Sequence, residues 1–162
     1  MVTAFIGLGA NLNNPRQQLL QAIETLSLLP ACTCLTVSSL YRSKPMGPQN
    51  QPDYVNAVMS METSLSPLEL LEGLQSVEQQ QGRVRGDERW GPRTLDLDML
   101  MYGDEVIDEL HLKIPHPGLH ERSFVLYPLH EIAPTLDIPG HGALKQLLEH
   151  CEYDLEVISD ES

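Results

Sequence analysis

Residues 94–102, TLDLDMLMY, alternate apolar and polar side chains with a period of two. Such alternation fits a β-strand with one buried face and suits no helix. Leu95, Leu97, Met99 and Met101 fall on one face, and Asp96, Asp98, Leu100 and Tyr102 on the other. Residues 54–62, YVNAVMSME, repeat the pattern: Val55, Ala57, Met59 and Met61 face one way, Tyr54, Asn56, Val58 and Ser60 the other. A strand with one apolar face needs a second layer to bury it. These strands therefore call for helices on one side and gather Tyr54, Asn56, Asp96 and Asp98 on the other.

The remaining patterns supply that layer. A strand is expected at about 2–8, followed by a helix with Asn14 as its cap and Pro15 in its first turn. Leu19, Leu20, Ile23 and Leu26 form the apolar stripe of this helix. Another strand is expected near 34–42, and then loop chemistry in SKPMGPQNQP. SPLE at 66–69 is a capping box opening a second helix, with Leu70, Leu71, Leu74 and Val77 on one face and its end at Gly82. A last helix is expected near 143–150. The order βαββαβ is the ferredoxin-like signature, an α+β fold whose antiparallel sheet carries helices on one face and the candidate site on the other. No internal repeat interrupts it, so residues 1–162 are expected to form a single domain, with about 149–162 as a solvated acidic tail.

The net charge of −13 argues against a nucleic-acid partner, which would demand a basic face. The last fourteen residues carry six acids and no Lys or Arg, and the body stays acidic without them. No run of eighteen apolar residues exists, so no membrane span is expected. The N-terminal MVTAFIGLGANL lacks a basic leader segment and reads as a strand. The odd count of three cysteines, Cys32, Cys34 and Cys151, suits a reducing, cytoplasmic setting.

Against this acidic background, Arg83, Arg85, Arg89 and Arg93 fall within eleven residues of a chain holding ten Lys and Arg in total. Even spacing would place about 0.7 there, so the cluster is an enrichment. Guanidinium forks grip phosphate oxygens in pairs. The alternative is a set of surface salt bridges, each contributing about 0–1 kcal/mol. Gly82, Gly86, Gly91 and Pro92 punctuate the stretch, as in a loop that closes over phosphates. Asp96 and Asp98 follow at once, roughly 7 Å apart by strand rise. Two such carboxylates repel, and Mg²⁺, which takes one or two carboxylates plus waters and phosphates, relieves the conflict. The alternative is a solvent-facing strand, although Asp is disfavoured in strands. No GxxxxGK[ST] motif is present, and Gly7-Leu8-Gly9 lacks the third glycine of a dinucleotide fingerprint, so it reads as a tight turn. Tyr54, Trp90 and Phe124 are candidates to stack on a planar heterocycle. His116, in IPHPGLHER, reads either as a phosphate contact or as a structural histidine between prolines.

FIGLGANL, VSSLYRSKPMGPQNQPDYVNAV, RWGPRTLDLDMLMYG and IPHPGLHERSFVLYPLHEIAP occur in that order. Together they resemble the 6-hydroxymethyl-7,8-dihydropterin pyrophosphokinase family of folate biosynthesis, over most of the chain except the acidic tail. The resemblance implies transfer of pyrophosphate from ATP to the pterin hydroxymethyl group, with release of AMP. It implies that Asp96 and Asp98 hold two Mg²⁺ ions and that Arg83 and Arg93 act in catalysis on the phosphates. Gln75, Glu78, Arg85, Arg89, Met99, His116 and Arg122 match ATP-site positions. Ser43, Lys44, Met46, Tyr54, Asn56, Trp90 and Phe124 match the pterin pocket. The implied partners are ATP and the pterin, and the implied state is a monomer. Rival readings are a ferredoxin-like module that senses a nucleotide without turnover and a two-metal phosphodiesterase; the acid pair beside four arginines disfavours the first, and the acidity of the chain the second.

Overall fold

The computed structural model describes residues 1–11, 14–44, 53–81 and 95–158. In chain order the elements are β1 (Val2–Ala10), α1 (Pro15–Ser27), β2 (Cys32–Val37), β3 (Tyr41–Ser43), β4 (Tyr54–Thr63), α2 (Pro67–Gln80) and β5 (Asp96–Tyr102). They continue with β6 (Ile107–Glu109), β7 (Leu112–Ile114), a 3-10 turn (Leu119–Glu121), α3 (Ser123–Ile132), β8 (Asp137–Ile138), β9 (Gly142–Ala143), α4 (Leu144–Glu149) and β10 (Glu156–Val157). In the main sheet β1 lies between β4 and β5, β2 and β3 both pair with β4, and β10 pairs with β3. Every pairing is antiparallel. The α+β, ferredoxin-like expectation holds. Among the described residues no helix is long and apolar enough to cross a membrane.

The strand expected at 34–42 is in fact two, laid end to end along β4. The break comes at Ser38, whose N–H donates to Val58 O at 2.9 Å while its Oγ accepts from Val58 N at 3.0 Å. A side-chain oxygen thus replaces a ladder carbonyl, which lets residues 38–40 leave the ladder. At α2 the capping box forms as expected: Ser66 Oγ accepts from Glu69 N at 3.2 Å and Glu69 Oε1 accepts from Ser66 N at 2.8 Å. Asn14 differs. It sits in the left-handed region at φ 62° and its side chain caps nothing. Its contribution is the sharp entry into α1, which asparagine tolerates better than most residues.

One core lies between the sheet and α1 and α2. Ile6, Leu8, Met59, Met61, Leu97 and Met99 meet Leu19, Leu26, Leu70, Leu74 and Val77 there. A second core lies on the opposite face, where Phe5, Val58, Leu100 and Met101 meet Val125, Leu126, Leu129 and Leu144. Helix α3 covers half of the face that the sequence leaves open. Its pattern is masked by Pro128, which stands inside the helix. The second core also corrects the face assignment in β5. The β1–β5 register passes from Ile6↔Met99 to Phe5↔Met101, so Leu100 is bulged out. A bulge inserts one residue and inverts the alternation beyond it. Met101 therefore joins Leu100 in the second core, and Tyr102 turns into the first.

The tail expected to be solvated is folded as far as residue 158. β10 pairs with β3, Ile158 N donates to Leu40 O at 2.8 Å, and Tyr127 Oη donates to Cys151 O at 2.6 Å. Its carboxylates stay outside while Cys151 and Ile158 pack on the two cores. That division is why an acidic sequence still orders. The three cysteines are free and half-buried.

Candidate active site

The open half of the sheet is organised in rows. In one row Tyr41, Asn56, Gly9 and Asp96 stand opposite one another on β3, β4, β1 and β5. In the next, Gly7 stands opposite Asp98. Ser43 is opposite Tyr54. Antiparallel partners point to the same side, so these residues share the face of the sheet on which α3 packs, Tyr41 reaching Glu131 of that helix. Gly7 and Gly9 are therefore not the tight turn that the GxG suggests; both lie inside β1. Their role is the absence of a side chain. A Cβ on Gly9 would stand 3.1 Å from Asn56 Nδ2. The floor between the acidic strand and the polar strand is bare backbone, which makes a trough about two strand spacings, or ~10 Å, across.

Asn56 and Ser43 are buried at one side of this trough. Ser43 Oγ donates to Asn56 Oδ1 at 2.6 Å. That bond occupies the carbonyl end of the amide and turns its NH₂ toward Gly9. Tyr54 is half-buried beside them, and Lys44 is exposed. On the other side, the half-buried Asp98 faces His116, with Nε2 3.9 Å from Oδ1. His116 is placed by its backbone, whose N–H donates to Leu100 O at 3.0 Å. Its Nδ1 accepts from Gly118 N at 3.1 Å, so in the neutral ring the proton sits on Nε2, the nitrogen nearer Asp98. Burial holds the His116 pKa below its ordinary value, the Arg122 charge lowers it further, and Asp96 opposes them. The neutral donor is thus the favoured form near pH 7.

Arg122 folds over Gly118, where any side chain would meet its Nε at 2.7 Å. Its guanidinium carbon lies 5.8 Å from the centroid of the Phe124 ring, within cation–π range. Phe124 packs on the second core, so the ring that Arg122 lies against is anchored.

At the edge of β5 lies a cavity of about 260 Å³, with Leu71, Leu97, Met99, Leu110 and Leu112 as its apolar wall and Asp98, His111, Lys113 and His116 as its polar one. Met99, itself part of the first core, lines this cavity. Glu78 is buried, and its Oε2 accepts from Leu97 N at 2.7 Å. It satisfies an edge N–H of β5 next to this cavity, a structural duty that the sequence does not reveal. Gln75 is half-buried one turn earlier on α2. Of the other expected site residues, Met46, Arg83, Arg85, Arg89, Trp90 and Arg93 lie outside the described residues.

One face of the sheet carries two carboxylates, an imidazole beside a guanidinium and, across bare backbone, an oriented amide, while the cavity opens at the β5 edge with Asp98 and His116 at its margin. On an α+β sheet these groups suit a phosphoryl-transfer enzyme that brings a nucleotide to a second small molecule. The 7,8-dihydro-6-hydroxymethylpterin-pyrophosphokinase family model matches residues 5–134, and the chain belongs to this family. It is an ATP-dependent diphosphotransferase of folate biosynthesis, giving 6-hydroxymethyl-7,8-dihydropterin diphosphate and AMP. The 2-amino-4-hydroxy-6-hydroxymethyldihydropteridine pyrophosphokinase of Haemophilus influenzae is 53% identical over 149 residues, covering 92% of each chain. That of Pseudomonas aeruginosa is 47% identical over 150 residues, covering 93% of this chain and 92% of the relative. The fold also matches wild-type Plasmodium falciparum HPPK-DHPS, with a TM-score of 0.71, 13% identity and 92% of this chain covered. This chain spans only 44% of that longer one.

Proposed function

We propose that the trough is the pterin site, the apolar cavity the adenine site, and the Asp96–Asp98 pair the place where the ATP phosphates bridge them. The observation that carries this is Asp98, which borders both the cavity at the β5 edge and His116, while Asp96 stands in one row with Asn56. The two aspartates suit Mg²⁺. Both are half-buried on one face, with glycine rather than a side chain opposite each. Among the described residues no group of three metal-ligating side chains gathers. Mg²⁺ takes only one or two carboxylates from a protein and fills the rest with water and phosphate, so two suffice. When bound, Mg²⁺ would offset the charge of the phosphates during transfer.

The chain's own residues do the rest. Leu97, Met99 and Leu112 remove the base from water, with Gln75 and Glu78 alongside. His116 donates its Nε2 proton and Arg122 a fork of N–H groups toward phosphate oxygens. Asn56, oriented by Ser43, reads the edge of the pterin, and Tyr54 and Phe124 flank its plane. Lys44, Met46 and Trp90 are assigned to the same substrate. Arg83 and Arg93, with Arg85 and Arg89, are assigned to the phosphates, where guanidinium forks would stabilise the charge that develops on them. The enzyme works as a single-domain monomer in the cytoplasm. With ATP, Mg²⁺ and 6-hydroxymethyl-7,8-dihydropterin, Asp96→Ala should fold normally by circular dichroism yet release no AMP above background. Undiminished turnover in that variant would remove Asp96 from the metal site.

A further inference from the structure

Glu131 lies outside the trough, on an exposed part of α3, yet it gathers several partners from one stretch of chain. Its Oε1 accepts from Tyr41 Oη at 2.6 Å. Its two oxygens accept from Ser39 N at 3.0 and 3.1 Å, and its Oε2 accepts from Ser39 Oγ at 2.8 Å. Ser39 belongs to the short link between β2 and β3, and Tyr41 is the first residue of β3. The carboxylate therefore ties α3 to the start of the strand that leads into the trough.

That strand is three residues long. A ladder so short fixes its own height and tilt weakly, and side-chain anchors decide them. Tyr41 is buried opposite Asn56, and two residues further on Ser43 donates to the Asn56 amide. A shift of Ser39 and Tyr41 is thus passed along β3 to the pair that fixes the amide. The Tyr41 phenol is pushed well above its usual range, by burial first and then by Glu131, so it stays a proton donor to this carboxylate. Glu131 itself is exposed, and solvent-screened bonds of this kind add little to global stability. Their effect is placement.

We propose that Glu131 is a positioning residue for pterin recognition: by holding Ser39 and Tyr41 it sets β3, and through Ser43 it sets the orientation of Asn56. This rests on the reading that Asn56 meets the pterin. It assigns a specificity role to a side chain some ninety positions from the strand it holds, near the C-terminal end of α3.

The test compares Glu131→Ala, Glu131→Gln, Tyr41→Phe and Asn56→Ala in the full chain, with steady-state kinetics for each substrate and pterin binding by calorimetry. Loss of about one hydrogen bond's worth of orientation should raise the pterin KM of Glu131→Ala roughly fivefold, while kcat and the ATP KM stay within about twofold. Glu131→Gln, which keeps an acceptor oxygen, should recover part of the loss. Glu131→Ala and Tyr41→Phe together should not multiply, since both act through β3. A folded Glu131→Ala with an unchanged pterin KM, or with equal rises for pterin and ATP, overturns the inference. If Glu131→Ala does not fold, an unchanged pterin KM in both Glu131→Gln and Tyr41→Phe overturns it. Asn56→Ala separates the two readings. Intact pterin binding in that variant removes the underlying site, whereas weakened binding there with no effect at residue 131 removes only the positioning role.

Discussion

Replacing Gly9 with alanine tests the trough by adding one methyl group. The new Cβ would stand 3.1 Å from Asn56 Nδ2 and 3.9 Å from the Tyr54 ring. Ordinary contact begins near 3.4 Å, so the amide must retreat by at least a few tenths of an ångström. It has little freedom to do so, being buried and bonded to Ser43 at 2.6 Å. Misplacing a reacting group by 1 Å costs roughly a hundredfold, so a shift of a third of that or more should lower kcat/KM for the pterin by about 5- to 50-fold. The ATP KM should hardly move, because the apolar cavity lies beyond β5. Stability should also hardly move. The backbone entropy gained is worth about 0.5–1 kcal/mol and offsets crowding at the low end of ~1–3 kcal/mol. The melting temperature should therefore stay within about 4 °C of the parent. AMP release, measured with pterin varied at saturating ATP, reads the effect. A folded Gly9→Ala with unchanged pterin kcat/KM would refute the reasoning, since the bare backbone at Gly9 would then have no bearing on the site.

Gly73 gives the opposite sign. It lies inside α2, and an added Cβ would meet only the Leu29 side chain at 3.5 and 3.9 Å, so Gly73→Ala should stabilise by about 0.5–1 kcal/mol in urea unfolding. In alkaline solution Tyr102 matters. Its hydroxyl donates to Leu65 O, and burial first, then Glu105 and Glu69, raise its pKa above 10. The folded state holds this proton longer than the unfolded state, so the contribution is complete below pH 10 and is lost as the pH rises through the folded pKa. Tyr102→Phe should make the fall of stability above pH 10 shallower, by at most one proton or ~1.4 kcal/mol per pH unit, and an unaltered slope would show that the phenol is not protected.

The legible part of this protein was local. The alternation through Asp98 set which side chains face the helices, and SPLE set where α2 begins. The chain order of motifs was enough to indicate the family and its substrates. That Tyr54 and Asn56 share a face with Asp96 and Asp98 was legible by parity alone, because a strand of regular pleat carries that information residue by residue. Parity failed where the backbone left the regular pleat. Ser38 breaks a strand into two by lending its hydroxyl to the ladder, and Leu100 bulges out so that Met101 and Tyr102 exchange faces. Glycine was misread for a related reason: GxG signals a turn as readily as a bare strand, and only the pairing with Asn56 and Asp96 shows which.

What the sequence determined by itself is the α+β order of elements, the aspartate face and the chemistry available to it, since each depends on neighbours one to four residues apart. What the tertiary structure alone decided is which distant segments meet on that face. Helix α3 closes half of it and leaves the other half as a trough; His116 comes to 3.9 Å from Asp98; Glu131 reaches back to Tyr41 and Ser39. These contacts exist because a sheet with apolar residues on both faces, here Ile6 and Phe5 on the same strand, must be covered on both. No local period encodes which later segment supplies the second cover, or how much of the face it leaves for substrate.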